Sequence, residues 1–360
     1  DQPDHFGTSP LAIALSKNHM EVVQMLLRAG ANVDRSVNAD GLTPLFVAAS
    51  KGQRDMFSKL LNLGANLTYR TKRGETFLHA IASKNHVIML PTLQQLSKKG
   101  LLPPEFIDSP DIEGLTPLLS FCTSRKDNFK SEYPLKTADG EPVSKFILAE
   151  YLLDLGADIN AVSINEISAL YYATVRSNHD LMSFLLNHGA KVDREDLNGI
   201  TPFWFACKGG DTKAAGLLIN RGADPNTEDI CGNTPLIAAC TRNHENLVRN
   251  LLFDWKADIY HRNSENVTAP WISAQMGHID ILRVFLKHCK VNPNLMGPNS
   301  TSLLWAAACN NQPEAVKMLI DYGASVNTPH IDGASPLFVA AQNGHKEICR
   351  ILLDASADAD

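Results

Sequence analysis

Histidine, cysteine and acidic residues are the side chains in this sequence that could bind a metal ion or drive catalysis. The pair His244-Glu245 begins a zinc-protease motif, but no second His follows at the required spacing. The segment from Arg194 to Phe205 has the length of a calcium loop, but Arg and Phe occupy its first and twelfth positions, where calcium needs oxygen ligands. Nucleophile-elbow and phosphate-loop motifs are absent from the sequence. We therefore predict no catalytic residue, no cofactor site and no metal site.

One short segment recurs along the whole chain. In its clearest copy, Gly41 precedes Thr43-Pro44-Leu45, a run of small apolar residues and Gly52. Ten copies can be aligned on a Thr or Ser, at intervals of 34, 33, 40, 52, 33, 33, 34, 33 and 34 residues. The ten anchors are Ser9, Thr43, Thr76, Thr116, Ser168, Thr201, Thr234, Thr268, Thr301 and Ser335. A period of about 33 residues with a T-P-L-H-x-A core indicates a repeat protein.

The period and the core motif resemble those of the ankyrin-repeat family over essentially the full length of the chain. The resemblance implies an all-α solenoid of helix-turn-helix units with β-turn or hairpin loops, curved into a superhelix. Each unit buries its apolar face against its neighbours, so we predict one array over residues 1–360. The predicted repeats are 4–37, 38–70, 71–110, 111–162, 163–195, 196–228, 229–262, 263–295, 296–329 and 330–360.

The repeat at residues 196–228 shows how the sequence specifies one unit. Thr201-Pro202 predicts a helix start, because Thr caps helices and Pro fits the first helical position. We expect a first helix from Phe203 to Lys208 and a second from Thr212 to Asn220. Gly222 then stands where a helix-ending residue with positive φ is expected.

The largest irregularity is a polar insertion at residues 124–142, between the two helices of the fourth repeat. Long loops in compact arrays are either functional or mobile. Two interpretations stay open: a recognition or regulatory loop, with Tyr133 as a candidate contact, and a tolerated mobile insertion. The chain starts at Asp1 without an initiator Met and stops at Asp360 without a polar capping repeat, so we expect a fragment of a longer protein.

The family's His after Pro-Leu is kept only at His79. In the family this His links neighbouring turns through hydrogen bonds, and we expect apolar packing to replace those bonds in the other repeats. Aromatic residues at this position are interpreted as core rather than as ligand contacts. The residues found there are Ala12, Phe46, Leu119, Tyr171, Trp204, Ile237, Trp271, Leu304 and Phe338.

Two further sets of residues are interpreted as structural. Seven scattered cysteines form no CxxC pair, and Cys122, Cys207 and Cys240 share the small-residue position of the first helix. Helices stacked about 8–10 Å apart keep Cys207 and Cys240 too far apart for a disulfide. We expect buried reduced thiols and an intracellular, reducing compartment, the cytoplasm. Six histidines start second helices: His19, His86, His179, His244, His278 and His345.

The composition limits the class of partner. There are 33 Lys and Arg against 39 Asp and Glu, for a net charge of -6, whereas phosphate backbones favour a basic surface. We therefore expect no nucleic-acid partner. Because no apolar run approaches the ~20 residues that span a bilayer, we also expect no direct membrane insertion.

The resemblance implies a partner site on the concave face, formed by the turn tips and the exposed ends of the first helices. The helix ends carry a basic row: Lys17, Lys51, Lys84, Arg176, Lys208 and Arg242. The turn tips carry an apolar row: Ile112, Leu115, Ile164, Ile167, Leu197, Ile200 and Ile230. A basic row beside an apolar row favours an extended partner with acidic and apolar residues. The alternative is that the cations only solubilise the surface and the tip aliphatics pack between turns.

The leading hypothesis is a non-catalytic protein-interaction scaffold, a monomeric array within a larger chain, that holds a protein or peptide. Two alternatives stay open: the cytoplasmic repeat domain of a membrane protein such as a channel, and the substrate-targeting arm of a larger enzyme. The resemblance also makes three loop asparagines candidates for asparaginyl hydroxylation. They are Asn160, Asn226 and Asn327.

Overall fold

The computed structural model describes residues 9–17, 19–36, 40–124 and 144–359. Within these ranges the chain forms twenty α-helices, and the only β-type pairings are two isolated bridges, Val162 to Ser168 and Met296 to Ser302. The predicted all-α repeat fold is confirmed. The predicted insertion, including Tyr133, lies outside the described residues apart from Ser124. The chain divides into two compact units, residues 1–191 and 192–360.

The first unit contains ten α-helices in five consecutive pairs. They are α1 (Pro10–Ser16), α2 (Met20–Arg28), α3 (Pro44–Ser50), α4 (Arg54–Asn62), α5 (Phe77–Ser83), α6 (Leu90–Lys98), α7 (Pro117–Cys122), α8 (Ile147–Asp154), α9 (Ala169–Val175) and α10 (His179–Asn187). A short 3-10 turn, Val87–Met89, leads into α6, and another, Pro104–Phe106, follows it. The second helical segment of the third repeat is therefore a 3-10 turn joined to an α-helix.

The second unit also contains ten α-helices in five pairs. They are α11 (Pro202–Gly209), α12 (Thr212–Ile219), α13 (Pro235–Thr241), α14 (Glu245–Phe253), α15 (Ala269–Met276), α16 (Ile279–Arg283), α17 (Leu303–Cys309), α18 (Pro313–Asp321), α19 (Pro336–Gln342) and α20 (Lys346–Asp354). A π-helical turn, Val284–His288, continues α16, and a 3-10 turn, Pro298–Ser300, precedes α17.

The first helix of each pair begins where the sequence places a hydroxyl group before the helix. The Thr201 hydroxyl accepts a hydrogen bond from the Trp204 backbone N–H at 3.1 Å, which satisfies one of the unpaired donors of the first turn. The anchor at Thr301 is wrong by one residue, because Ser302 caps α17 by accepting from the Trp305 N–H at 3.1 Å. The Thr301 hydroxyl instead donates to the Pro298 carbonyl.

Small residues let the first helices pack side by side in the second unit. Ala206, Ala239 and Ala307 are fully or almost fully buried, and neighbouring first helices contact each other along the array. Leu218 and Leu251 in the second helices close the core from the other side, with no exposed surface. Each pair therefore buries its apolar face mainly against its neighbours, as the repeat period requires.

Candidate partner-binding groove

The second unit contains a groove of about 620 Å³ between its first helices and its turns. One wall is formed by α11, α13 and α15, and the other by the turns around residues 229–233 and 263–267. A volume of this size falls within the range of ligand-binding clefts, and a groove that runs beside three helices and two turns can also accept a segment of extended chain. The side chains that matter for recognition are Trp204, Lys208, Asp229, Arg242, Glu265 and Trp271.

The tryptophans of the groove join the helical wall to the turns. The Trp204 indole N–H donates to the Asn233 carbonyl at 2.7 Å, and the Trp271 indole N–H donates to the Thr301 hydroxyl at 3.1 Å. Both rings are more than nine-tenths buried, which confirms their core character. The expectation that apolar packing alone replaces the family's His is wrong here, because an indole carries a ring N–H that His also offers.

The same substitution occurs one repeat further along the chain. Trp305, and not Leu304, occupies the position of the family's His, since Ser302 is the cap residue. Its indole N–H donates to the Ala334 carbonyl at 3.1 Å. In the first unit His79 makes the equivalent bond to the Leu115 carbonyl at 2.8 Å. A tryptophan three residues after the cap is thus the sequence signal for this bond between repeats, and apolar periodicity alone does not reveal it.

Two cations of the predicted basic row line the groove. The Lys208 ammonium lies 5.1 Å from the centre of the Trp204 ring, within the range of a cation–π contact. Arg242 is exposed at the end of α13. Across the described part of the chain, neither Lys208 nor Arg242 forms an ion pair. Both charges are therefore available to an acidic group of a partner.

The two carboxylates of the groove differ in their surroundings. Asp229 accepts hydrogen bonds from the backbone N–H groups of Cys231 at 2.9 Å and Asn233 at 2.8 Å, and from the Asn233 side-chain amide. These bonds fix the turn and leave Asp229 little capacity for a partner. Glu265 is exposed. Two available cations thus face one available carboxylate, which favours an acidic segment over a basic one.

The exposed members of the apolar row lie outside this groove. Ile112 and Ile164 in the first unit are 61% and 63% exposed, and Leu197 and Ile230 in the second unit are 61% and 71% exposed. Neighbouring turns are joined by their backbones, as in the bond from the Ile230 N–H to the Asn198 carbonyl at 2.9 Å. At these tips, packing of the side chain between turns is therefore not observed.

The other members of the two predicted rows have different environments. Leu115, Ile167 and Ile200 are half-buried below the tips. The four members of the basic row that belong to the first unit are exposed: Lys17, Lys51, Lys84 and Arg176. Of the thirteen residues in the two rows, only Lys208 and Arg242 meet in the groove.

The candidate hydroxylation sites form regular bonds between repeats. The side-chain oxygens of Asn160, Asn226 and Asn327 accept hydrogen bonds from backbone N–H groups at 2.8, 2.8 and 3.0 Å. The donors are, in the same order, Lys191, Asp258 and Asp358. Asp193 accepts from the Asp224 N–H in the same manner, at 3.2 Å. The position therefore requires a side-chain oxygen acceptor that ties one repeat to the next.

The histidines at the second helices also join repeats. The Nε2–H group of His86 donates to the Ser50 carbonyl at 2.8 Å, and that of His244 donates to the Lys208 carbonyl at 3.1 Å. His345 makes the same bond to Cys309 at 3.2 Å. The structural interpretation of these three histidines is confirmed.

Three cysteines of the first helices, Cys122, Cys207 and Cys240, are buried thiols. Burial raises the pKa of Cys122 and of Cys240 to about 12, and it also raises the pKa of Cys207. Thiols held neutral at physiological pH are poor nucleophiles. In the described ranges no cluster of three His, Cys, Asp or Glu side chains is arranged to hold a metal ion. Among the helices of those ranges, none has the length and apolar character needed to cross a bilayer.

Stacked helix pairs joined by tight turns, with a groove beside the first helices, define a helical repeat protein. A profile of the family described as ankyrin repeats (3 copies) matches residues 1–71, 144–229, 223–297 and 271–360. These ranges cover most of the sequence, and the chain belongs to the ankyrin-repeat family.

Curated relatives match shorter parts of the chain. Mouse protein phosphatase 1 regulatory subunit 27 is 29% identical over 86 residues, which are 24% of this chain and 56% of that protein. Human Notch-regulated ankyrin repeat-containing protein is 32% identical over 68 residues, 19% of this chain and 60% of that protein. Human ankyrin repeat and SOCS box protein 14 is 40% identical over 58 residues, 16% of this chain and 10% of that protein. The chain thus spans less than two thirds of the length of these relatives.

Proposed function

We propose that this chain is a non-catalytic scaffold that holds a protein partner in the groove of its second unit. The observation that carries the proposal is the pairing of Lys208 and Arg242 with the tryptophan-lined wall. Cations without an acidic partner among the described residues favour a carboxylate from outside, and the apolar wall favours the side chains between such carboxylates. The proposed ligand is therefore an extended segment with acidic and apolar residues.

The relatives support a regulatory setting for such a scaffold. One of them is named as a regulatory subunit of protein phosphatase 1, which is an enzyme. We accordingly retain the hypothesis that the array is the targeting arm of a larger enzyme. The hypothesis of a repeat domain within a membrane protein draws no specific support from the groove. For either setting we propose a reducing intracellular compartment, supported by the buried thiols of Cys122, Cys207 and Cys240.

The scaffold proposal is tested by comparing three baits in affinity capture. The first is the native chain, and the second carries Lys208→Glu and Arg242→Glu. The third carries Lys213→Glu and Lys346→Glu, which change the net charge equally on second helices outside the groove. We expect partners that bind the native and control baits but are lost from the groove bait.

A second measurement locates the captured partner. Hydrogen exchange of the complex should show protection of residues 229–242, which include the groove turn and α13. Equal capture by all three baits, or protection confined to other segments, would contradict the proposal that the partner binds in the groove. Loss from both variant baits would mean that overall charge, rather than this groove, controls binding.

The asparagine hypothesis is also kept as a proposal. Asn226 is exposed although its side-chain oxygen is bonded, so its β-carbon can be approached from solvent on local unfolding of the loop. We expect a mass increase of one oxygen on the peptide containing Asn226 from the native source. An unmodified peptide in protein from the native source would contradict it.

A further inference from the structure

The second helices of the seventh and eighth repeats end in a turn with one additional residue before the left-handed residue. In regular repeats the left-handed residue that ends this helix lies eleven positions after the capping residue, as Gly222 follows Asp211. In the seventh and eighth repeats the distance is twelve, from His244 to Lys256 and from His278 to Lys290. Two consecutive repeats therefore share the same insertion.

The additional residue widens the last turn of each helix. In a regular repeat the closing bond spans five residues, as from the Ala223 N–H to the Leu218 carbonyl. Here the Ala257 N–H donates to the Leu251 carbonyl at 2.8 Å and the Val291 N–H to the Phe285 carbonyl at 3.1 Å, each across six residues. The π-helical turn at Val284–His288 is of a kind that is rare in helices and frequent at functional sites. Lys256 and Lys290 then adopt φ of 56°, where the first, second, fifth, sixth and ninth repeats use Gly and the tenth uses Ser356. A bulky side chain at positive φ is strained, and such strain is frequent at functional sites.

The insertion also changes which side chains reach the surface. Trp255 turns inward and packs edge-on against the buried Phe203 ring at 5.7 Å. Phe253 remains 50% exposed, and its ring lies edge-on to that of His288, with centroids 6.5 Å apart. In the regular repeats the position of Phe253 is polar. The residues found there are Arg28, Asn62, Asn187, Asn220, Asp321 and Asp354.

Three lysines are close in sequence to this pair of rings. Lys256 follows Phe253, while Lys287 and Lys290 flank His288, and all three are exposed. In the described ranges none of the three lysines forms an ion pair. Within residues 250–257 and 284–291, Asp254 is the one exposed carboxylate, so cations outnumber anions there. The surface formed by Phe253, Lys256, Lys287, His288 and Lys290 is called the lysine–aromatic patch below.

We propose that the lysine–aromatic patch is a second docking surface, and that its occupant is an acidic segment of a protein that inserts an apolar side chain beside Phe253. Charge complementarity selects an acidic partner, and the exposed ring gives it an apolar anchor. A nucleic acid is disfavoured because its affinity depends on many phosphate contacts, whereas this patch offers three lysines beside a carboxylate. The patch shares no residue with the groove, so its occupancy does not depend on the proposed function.

The test uses the full chain and a labelled peptide of alternating glutamate and phenylalanine. Hydrogen exchange with this peptide should show protection of residues 250–257 and 284–291. The variant Lys287→Glu, Lys290→Glu should lose that protection and bind on the order of tenfold more weakly, as expected for two exposed charge pairs. Phe253→Asn, which restores the residue type of the regular repeats, should weaken binding without unfolding the chain.

Matched controls distinguish binding at the patch from binding at the groove and from a change in net charge. The groove variant Lys208→Glu, Arg242→Glu and the control Lys213→Glu, Lys346→Glu should keep the protection of both patch segments. Lysines near helix carboxyl ends also stabilise helices through the macrodipole. If the patch variants lower only the unfolding midpoint and leave binding unchanged, the lysines are structural and the proposal is overturned. Protection by single-stranded oligothymidylate or by phosphatidylserine vesicles, but not by the peptide, overturns it as well.

Discussion

The indole N–H of Trp204 donates a hydrogen bond to the backbone carbonyl of Asn233 at 2.7 Å. This bond ties the wall of the groove to its turn, and it occupies the place of the His bond seen between His79 and Leu115. The same ring supports the Lys208 ammonium. One side chain therefore serves both the stability of the array and the shape of the groove.

Removing the indole N–H of Trp204 should destabilise the second unit. Trp204→Phe keeps an aromatic ring but removes one of the two donors to the Asn233 carbonyl, which retains its bond from the Asp229 N–H at 3.1 Å. The expected cost is about 0.5–1.5 kcal/mol in the free energy of unfolding. Urea unfolding followed by circular dichroism measures the change. The control is Trp204→His, which keeps a ring N–H and should retain more stability than the Phe variant. If Phe is tolerated better than His, the ring volume and not the hydrogen bond stabilises this contact.

The protonation of His79 should make the first unit sensitive to acid. Burial lowers the pKa of His79, and the nearby Arg70 lowers it further, against the opposing effects of Asp111 and the bond to the Leu115 carbonyl. The Thr76 N–H donates to Nδ1 at 3.0 Å, so the folded state needs a neutral ring. Because the unfolded state binds the proton more readily, stability is intact above the ordinary pKa of about 6.5 and falls as the pH drops from there towards the lowered pKa.

The measurement for His79 is the free energy of unfolding between about pH 7 and pH 5, compared with His79→Phe. The native chain should lose up to about 1.4 kcal/mol per pH unit more than the variant in this window. His86 and His278 also have lowered pKa values through burial, and they remain in both proteins. Equal slopes in the two proteins would show that His79 does not titrate on unfolding in this range.

Two glycines of one repeat should respond in opposite ways to alanine. A Cβ added at Gly216, within α12, or at Gly222, after it, would meet no heavy atom within 4 Å. Gly216→Ala should stabilise the chain by about 0.5–1 kcal/mol, because alanine favours helix and restricts the unfolded chain. Gly222 has φ of 88°, so Gly222→Ala should cost about 1–2 kcal/mol. Thermal unfolding of the two variants compares them directly, and the same sign for both would contradict the backbone argument.

The asparagine bonds between repeats should tolerate an acid but not an alanine. Asn226→Asp keeps an oxygen acceptor for the Asp258 N–H, as Asp193 does for the Asp224 N–H, and should change stability little. Asn226→Ala removes the acceptor and should cost about 1 kcal/mol. Amide exchange at Asp258 reports the bond itself and should quicken only in the alanine variant. Unchanged exchange in that variant would show that the bond contributes nothing measurable.

The cap residues and their spacing allowed the repeat fold to be predicted. Thr201, Pro202 and Gly222 act locally, through a hydroxyl acceptor, a fixed φ and a tolerated positive φ, and the helix bounds follow them within about two residues. The same local rule failed at Thr301, since Thr301 and Ser302 are both competent caps. The bond from Thr301 to Pro298 assigns the cap to Ser302.

The candidate site was only partly predictable. Lys208 and Arg242 follow from their position at helix ends, and they do line the groove. The tips at Leu197 and Ile230 were predicted as exposed and are exposed, yet they do not line the groove. Their sequence position specifies a turn, but the direction of the side chain depends on backbone bonds to the neighbouring turn.

The order of helices, their caps and the repeat period are therefore set by the sequence, because each depends on contacts within a few residues. Which groups meet across repeats depends on the tertiary structure. Trp204 reaches a carbonyl 29 residues away, and the Phe253 ring packs against the His288 ring where each of the two repeats has one additional residue. Such pairings depend on the stacking of complete units and on the free energy of burying their rings and polar groups together, which local spacing does not encode.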